Sequence, residues 1–434
     1  MKKSHLQLVF IFAVMLFIKG TLYPQENYNK TTLPQNISAL SLNEIISYAL
    51  ENNPKITAAE SRWKASLNQP GIVSGLPDPT IGFTYFNEEI STRNGSIKGG
   101  VSIAQKFPWF GKLSAKSKIK ETDAEIFSEA LKAVKLEVIA NVKKVYYDLY
   151  WIWQAVSITE RNIDLLKQFE SVSRAMYASG QVPQQDVLKA QVELSKLYND
   201  HETYVEMRKT FEVKLNGLLG KAPFEATGNP EEIEFKPVEI NIDSLYAVFR
   251  KNSPHLKMRM KMIKKADGEF NLSKLENYPD FSIGYNYQWI ADDAPLSSDA
   301  GKNAQSVMIS MNIPLWFGKN RARVNDAEMK AVSQEFNYKD FENMRLADIK
   351  NAHFGLINAE RKIKLYRDNI IPRLQQALNV TLESYKVGKS GFLDLIDSQK
   401  LLLQFQLEYE KSISSYFKKA AELEFLTGAE LNFQ

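Results

Sequence analysis

Between Lys112 and Ser179 the chain carries neither glycine nor proline, and the run stops at Gly180. Within it, Phe127, Leu131, Val134, Val138, Val142, Val145, Leu149, Ile152 and Val156 are spaced 4, 3, 4, 4, 3, 4, 3 and 4 residues apart. The mean of about 3.6 is the period of one apolar stripe along an α-helix. At 1.5 Å per residue such a helix reaches about 100 Å, far more than a globular domain is wide. A second helical run of similar length, with Gly355 and Pro372 inside it, extends from Lys319 to Val387 and breaks at Gly388. Two such rods suit a protein that spans a distance better than one that encloses an active site.

The chain has 434 residues, 44 % of them apolar and 24 % charged, so it can bury a large core. Its net charge of +4 is scattered along the sequence, which gives nucleic acid no basic patch to bind. Cysteine is absent. That excludes disulfides, thiolate catalysis, Cys-ligated metals and a lipid-modified N-terminal Cys. The four histidines (His5, His201, His255 and His353) are not within helical reach of one another, so no metal site is expected. No nucleophile–base pair or phosphate loop is present, and neither an enzyme nor a cofactor is expected. Lys2 and Lys3 followed by the apolar run Leu8 to Ile18 read as a signal peptide over 1–24, with a polar linker over 25–40. The apolar run is too short to span a bilayer, and no later one approaches 18 residues. The mature chain is therefore soluble outside the cytoplasm or crosses a membrane as strands.

Ser41 with Glu44 reads as a capping box opening a helix that breaks at Asn52-Asn53-Pro54. Helical composition then resumes to about Asn68 and stops at Gln69-Pro70-Gly71. Ile81, Phe83 and Tyr85 alternate with Thr80, Gly82 and Thr84, and Val101 and Ile103 with Ser102 and Ala104. This predicts a hairpin of strands at about 79–88 and 97–107 around a polar loop. After Gly180 a helix returns to about Leu215, and a Pro- and Glu-rich linker with a short strand covers 221–241.

The same order then repeats. Asn53-Pro54 returns as Ser253-Pro254 and Pro79 as Pro279, both 200 residues on. Trp109-Phe110-Gly111-Lys112 returns as Trp316-Phe317-Gly318-Lys319, 207 on; Tyr177, Gly180, Asp186 and Gln191 return as Tyr385, Gly388, Asp394 and Gln399, 208 on. So steady an offset marks a tandem duplication, with repeats over 41–220 and 242–434.

The second hairpin, at about 279–290 and 304–313, sets Phe281, Ile283, Tyr285, Tyr287 and Trp289 against Ser282, Gly284, Asn286 and Gln288, although Met308 interrupts the return strand. Aromatics outward and small polar residues inward is the dyad pattern of a transmembrane barrel strand; a soluble sandwich is the other source of such alternation. Four strands cannot close a barrel, and open edges do not survive in lipid. Two chains would give eight strands, too narrow for an open channel, and three would give twelve. A homotrimer is the simplest arrangement that leaves a pore. In each repeat two shorter helices match one rod in length, making a helical wall beneath the barrel. The fold class expected is thus mainly α, with long antiparallel helices forming an α-helical barrel plus four β-strands per chain.

Asp394 and Asp397 lie three apart on one face of the helix after Gly388-Lys389-Ser390-Gly391. Under three-fold symmetry they form two stacked carboxylate rings, a device that attracts cations in pores. The plainer reading is that both complement a helix N-terminal dipole. Gly180 and Gly388 supply positive φ at helix ends, and Pro108 and Pro314, with Gly111 and Gly318 beside them, mark strand-to-helix junctions. Met258, Met260 and Met262 invite a copper reading, but Met258 and Met262 share a helix face and fit a helix core better.

Taken as a set, these features resemble the outer membrane efflux protein (TolC) family over essentially the whole mature chain. They are the duplicated helix–hairpin–helix order, the junctions Gln105-Lys106-Phe107-Pro108-Trp109-Phe110-Gly111-Lys112 and Ile313-Pro314-Leu315-Trp316-Phe317-Gly318-Lys319, and the tips Tyr177-Ala178-Ser179-Gly180 and Tyr385-Lys386-Val387-Gly388. Ile371-Pro372, before the second tip, belongs with them. The Leu76-Pro77-Asp78-Pro79 lead-in looks most like the heavy-metal, CzcC/CusC-like branch, whose members are often anchored through an N-terminal Cys that this chain lacks. The resemblance implies a trimer with a twelve-stranded outer membrane barrel and a helical tunnel in the periplasm. It implies docking on a periplasmic adaptor and an inner-membrane pump, and passive export. By the same resemblance Asp394, Asp397 and Tyr385 form the constriction, while Tyr177, Gly180, Asp186 and Gly388 contact the adaptor. The competing reading is a secreted coiled-coil structural or adaptor protein without a pore.

Overall fold

The computed structural model describes residues 41–237, 239–294 and 298–431; the expected signal peptide and the linker over 25–40 lie outside the described residues. The first repeat runs α1 (Leu42–Asn52), α2 (Pro54–Ser74), β1 (Thr80–Thr92), β2 (Gly95–Phe107), α3 (Lys112–Ala178) and α4 (Gln184–Leu219). The second runs α5 (Ile242–Asn252), α6 (Pro254–Leu275), β3 (Phe281–Ile290), β4 (Ala304–Met311), α7 (Phe317–Leu365), α8 (Ile371–Lys386) and α9 (Phe392–Thr427).

Helix α3 is one unbroken helix of 67 residues. The predicted stripe holds along its centre, where Val138, Val142, Leu149 and Ile152 are buried; Phe127, at the end toward the sheet, is exposed. The helix is buried on more than that stripe, because α2 and α4 pack on it from its own repeat and α6 and α9 from the other. Tyr146, Tyr147 and Tyr150 fill the added contacts. The second rod is not continuous. A π-helical turn at Tyr366–Ile370 separates α7 from α8 and ends two residues before Pro372. Proline offers no N–H to the preceding turn, and a wider turn absorbs the misfit.

Other expectations fail locally. Ser41 caps α1 without a side-chain hydrogen bond, so no capping box forms there. Helix α2 runs through Pro70 to Ser74, because packing along α3 outweighs the roughly 3 kcal/mol a mid-helix proline costs. No strand forms in the linker over 221–241 among its described residues; buried Phe235 anchors it against Tyr416.

The four strands form a single antiparallel sheet in the order β1-β2-β3-β4, with β1 and β4 as its edges. The polar stretch after Glu88 is strand rather than loop. Thr92 pairs with Gly95 across a tight turn, where Gly95 takes φ +123°. The register lines up Ile81, Ile103, Tyr285 and Val307 across all four strands, with Phe83, Val101 and Tyr287 in the next row. Most of this apolar face is open to solvent in the single chain. The other face aligns Gly82, Ser102, Asn286 and Ser306. Met308, the residue that interrupts this pattern, lies beside Gly284, which leaves room for its side chain.

Candidate gate and membrane junction

Both rods end in the same turn. Gly180 takes φ +72° and Gly388 φ +73°. The next residues donate back across the turn, Gln181 N–H to the Met176 carbonyl at 2.9 Å and Lys389 N–H to Ser384 at 2.8 Å. This is the six-to-one closure of a Schellman motif, which needs a left-handed residue. Both glycines are exposed, with open space where a side chain would be.

The two tip tyrosines are not equivalent. Tyr177 is 45 % exposed, whereas Tyr385 is 1 % exposed and packs on Phe392. The Tyr385 hydroxyl donates to Asp186 Oδ2 at 3.3 Å, tying the second tip to the first turn of α4. Burial pushes the Tyr385 hydroxyl up, and the Asp186 carboxylate adds to it, so the group stays a donor at physiological pH. The family resemblance put Tyr385 with the constriction and Asp186 with the adaptor contact; the structure brings them together. Asp394 accepts from the Gly391 N–H at 3.1 Å and Ser390 Oγ at 3.2 Å, a capping arrangement at the start of α9. Asp397 is exposed, and its side chain makes no hydrogen bond or ion pair with the described residues. Tyr385→Phe keeps the ring packing and removes one hydrogen bond worth about 1 kcal/mol. Single-channel recording is expected to find the open state roughly fivefold more populated; an unchanged open probability would contradict a tie that holds the tip.

At the other end of α3 stands a charged hub that sequence reasoning missed. Asp280 precedes β3, and its Oδ1 accepts from Lys112 Nζ at 2.7 Å and from the Trp109 N–H at 3.0 Å. Lys106 reaches its other oxygen at 3.1 Å, and Lys112 also donates to the Tyr278 carbonyl at 2.8 Å. Burial works upward on the Asp280 carboxyl, but the Lys112, Trp109 and Lys106 donors outweigh it and hold it at about 2. Trp109 stacks on Tyr278 at 5.4 Å and Phe107 on Phe281 at 5.6 Å. Pro108 and Gly111 (φ +85°) turn the chain between strand and helix. The second junction differs. Pro314 follows β4 by three residues, Gly318 already lies inside α7, and Trp316, Phe317 and Lys319 are exposed. The only sequence hint of the hub is the Pro279-Asp280 pair before the strand.

Among the described residues no helix is long and apolar enough to cross a membrane, and no group of three His, Asp or Glu side chains could hold a metal ion.

The cobalt-zinc-cadmium resistance protein CzcC of Cupriavidus metallidurans is 19 % identical over 394 residues, which cover 90 % of each chain. The cation efflux system protein CusC of Escherichia coli K12 is 20 % identical over 389 residues, covering 82 % of this chain and 80 % of that one. The solved structure of the outer membrane protein VceC from Vibrio cholerae superposes with a TM-score of 0.75 at 15 % identity, over 90 % of this chain and 97 % of its own. The model of the outer membrane efflux protein family matches residues 45–221 and 245–429, one match in each repeat. The chain belongs to the outer membrane efflux protein family.

Proposed function

We propose that three copies of this chain assemble into a conduit in a tripartite efflux system. Their pooled strands make a twelve-stranded outer membrane barrel, and their helices make a tunnel through the periplasm. The observation that carries this reading is the sheet. Its edge strands β1 and β4 have open outer sides, and its apolar face is exposed across all four strands. In lipid that face is solvated, and the edges require partners that neighbouring chains supply. Exposed Phe110, Trp316 and Phe317 form the aromatic belt at the periplasmic boundary. A coiled-coil protein without a pore has no use for such a sheet.

About 100 Å away, the tips around Gly180 and Gly388, with Tyr177, meet a periplasmic adaptor that couples the tunnel to an inner-membrane pump. Tyr385 and Asp186 hold the tip closed, and Asp394 and Asp397 ring the constriction. Cobalt-zinc-cadmium resistance and cation efflux in the relatives' names, with the acidic rings, favour metal cations as cargo. A deletion strain is then expected to lose growth on cobalt, zinc, cadmium or copper salts while its tolerance of drugs is retained. The reverse pattern would overturn metal cations as cargo while leaving the conduit in place.

A further inference from the structure

The seam between α3 and α9 joins the two repeats. It contains a fully buried pair of amides. Asn162 on α3 is 5 % exposed and Gln399 on α9 is 2 % exposed. Gln399 Nε2 donates to Asn162 Oδ1 at 3.0 Å. The Asn162 amide donates in turn to the Ile158 carbonyl at 2.9 Å and to Gln406 Oε1 at 3.4 Å. A buried polar pair of this kind fixes register between packed helices, because sliding either helix leaves a buried group unsatisfied.

On the side away from the tip the seam is tied again. Tyr150 donates to Glu410 at 3.0 Å, and Lys418 and Lys143 pair with Asp148 and Glu424, each at 2.5 Å. On the tip side α3 and α9 meet through apolar side chains instead, Ile163, Leu166 and Phe169 clustering with Leu395, Ile396 and Leu402. The polar ties there run from the tip segment to α4: the partly exposed Lys400–Glu193 ion pair at 2.9 Å and the single Tyr385–Asp186 hydrogen bond.

The same level is marked in the second rod. At the 208-residue offset of the tip motifs, Asn162 corresponds to Ile370, the last residue of the π turn. Tyr366, the first residue of that turn, packs on Phe405 at 5.4 Å, beside Gln406. A π turn interrupts the regular hydrogen-bond ladder and is a place where a helix bends. In the first rod α3 passes this level unbroken.

We propose that the Asn162–Gln399 pair is the fulcrum of the gate. The tip segment, α8 with the first turns of α9, swings from the π turn, while α3 and α9 keep register at the pair and beyond it. Asn162 and Gln399 are positioning residues: they set how far up the tunnel an opening can travel. This inference rests on the gate proposed at Tyr385, Asp394 and Asp397.

The chain has no native cysteine, so spin labels report only where they are introduced. In the full-length channel, Arg174→Cys with Lys389→Cys reports the tip, and Ser157→Cys with Glu408→Cys reports the far side of the pair. The gate is released by Tyr385→Phe, Asp394→Ala and Asp397→Ala together. The expected result is a tip distance that widens by at least about 2 Å while the far distance stays fixed. Adding Asn162→Leu and Gln399→Leu is expected to let the widening reach the far pair. A far distance that widens with the tip while Asn162 and Gln399 are intact overturns the fulcrum and leaves the gate standing. A tip distance and conductance that do not change on release overturn the gate itself, and the fulcrum with it. The first comparison needs no change at the buried pair, so it stands even where the leucine variant fails to fold.

Discussion

Lys112→Met is expected to destabilise the protein by about 3 kcal/mol, the low end of what breaking a buried ion pair costs. The Lys112 side chain is 8 % exposed and that of Asp280 is 14 % exposed, so removing the cation strands a carboxylate with little water to replace it. Lys106 and the Trp109 N–H still reach that carboxylate, which holds the loss near the low end. Urea midpoints of the detergent-solubilised protein measure it. Asp280→Asn in the same background is expected to recover part of the loss, because a neutral amide is cheaper to strand than a charge. A single variant within about 0.5 kcal/mol of wild type would contradict the hub. The pH dependence has a definite sign. The Asp280 carboxyl lies at about 2 in the folded chain against 3.8 as a free side chain. Its contribution is therefore complete above about pH 4 and fades as pH falls toward 2. In Lys112→Met this acid-sensitive component is expected to shrink.

Asp397→Ala is expected to lower cation-over-anion permeability in planar bilayers by roughly tenfold. Three carboxylates, each shifting the cation–anion difference on the axis by about 0.5 kcal/mol, supply that ratio. Reversal potentials across a salt gradient measure it. The Asp397 side chain makes no bond with the described residues, so its removal reports charge alone. Asp394 is a less clean probe. Its carboxylate also caps α9, and Asp394→Ala adds about 1 kcal/mol of local destabilisation to any loss of charge. Unchanged selectivity in Asp397→Ala would leave its carboxylate a solvated surface group. The double variant, Asp394→Ala with Asp397→Ala, is expected to raise conductance as well.

Much of the architecture is legible in the chain because it follows from periodicity. The stripe from Leu131 to Ile152 specifies a rod, and the alternation at Phe281 to Trp289 specifies a strand with two chemically distinct faces. The turn glycines are equally readable, since a left-handed residue after a long helix leaves few alternatives to Gly180 and Gly388. What stays hidden depends on partners distant in sequence. Lys112 looks like an ordinary first-turn lysine until Asp280 comes beside it, 168 positions away. Tyr385 and Asp186, 199 apart, sit in different repeats and meet only when the repeats pack. Lys319 shows how far repeat symmetry misleads. It occupies the position of Lys112 in the motif yet is exposed, and no acidic side chain pairs with it among the described residues. Pro70 and the polar end of β1 fail as boundary signals for a related reason: packing and strand pairing outweigh local preference there.

The central claim is that the open sheet edges are closed by copies of the same chain in the outer membrane. The direct measurement is the mass of the protein extracted in mild detergent from purified outer membranes, with the full-length gene expressed at native level. Three chains per particle, dissociating only when the sheet unfolds, is the predicted result. A single chain recovered in the soluble fraction, or a particle of any number other than three, would contradict it.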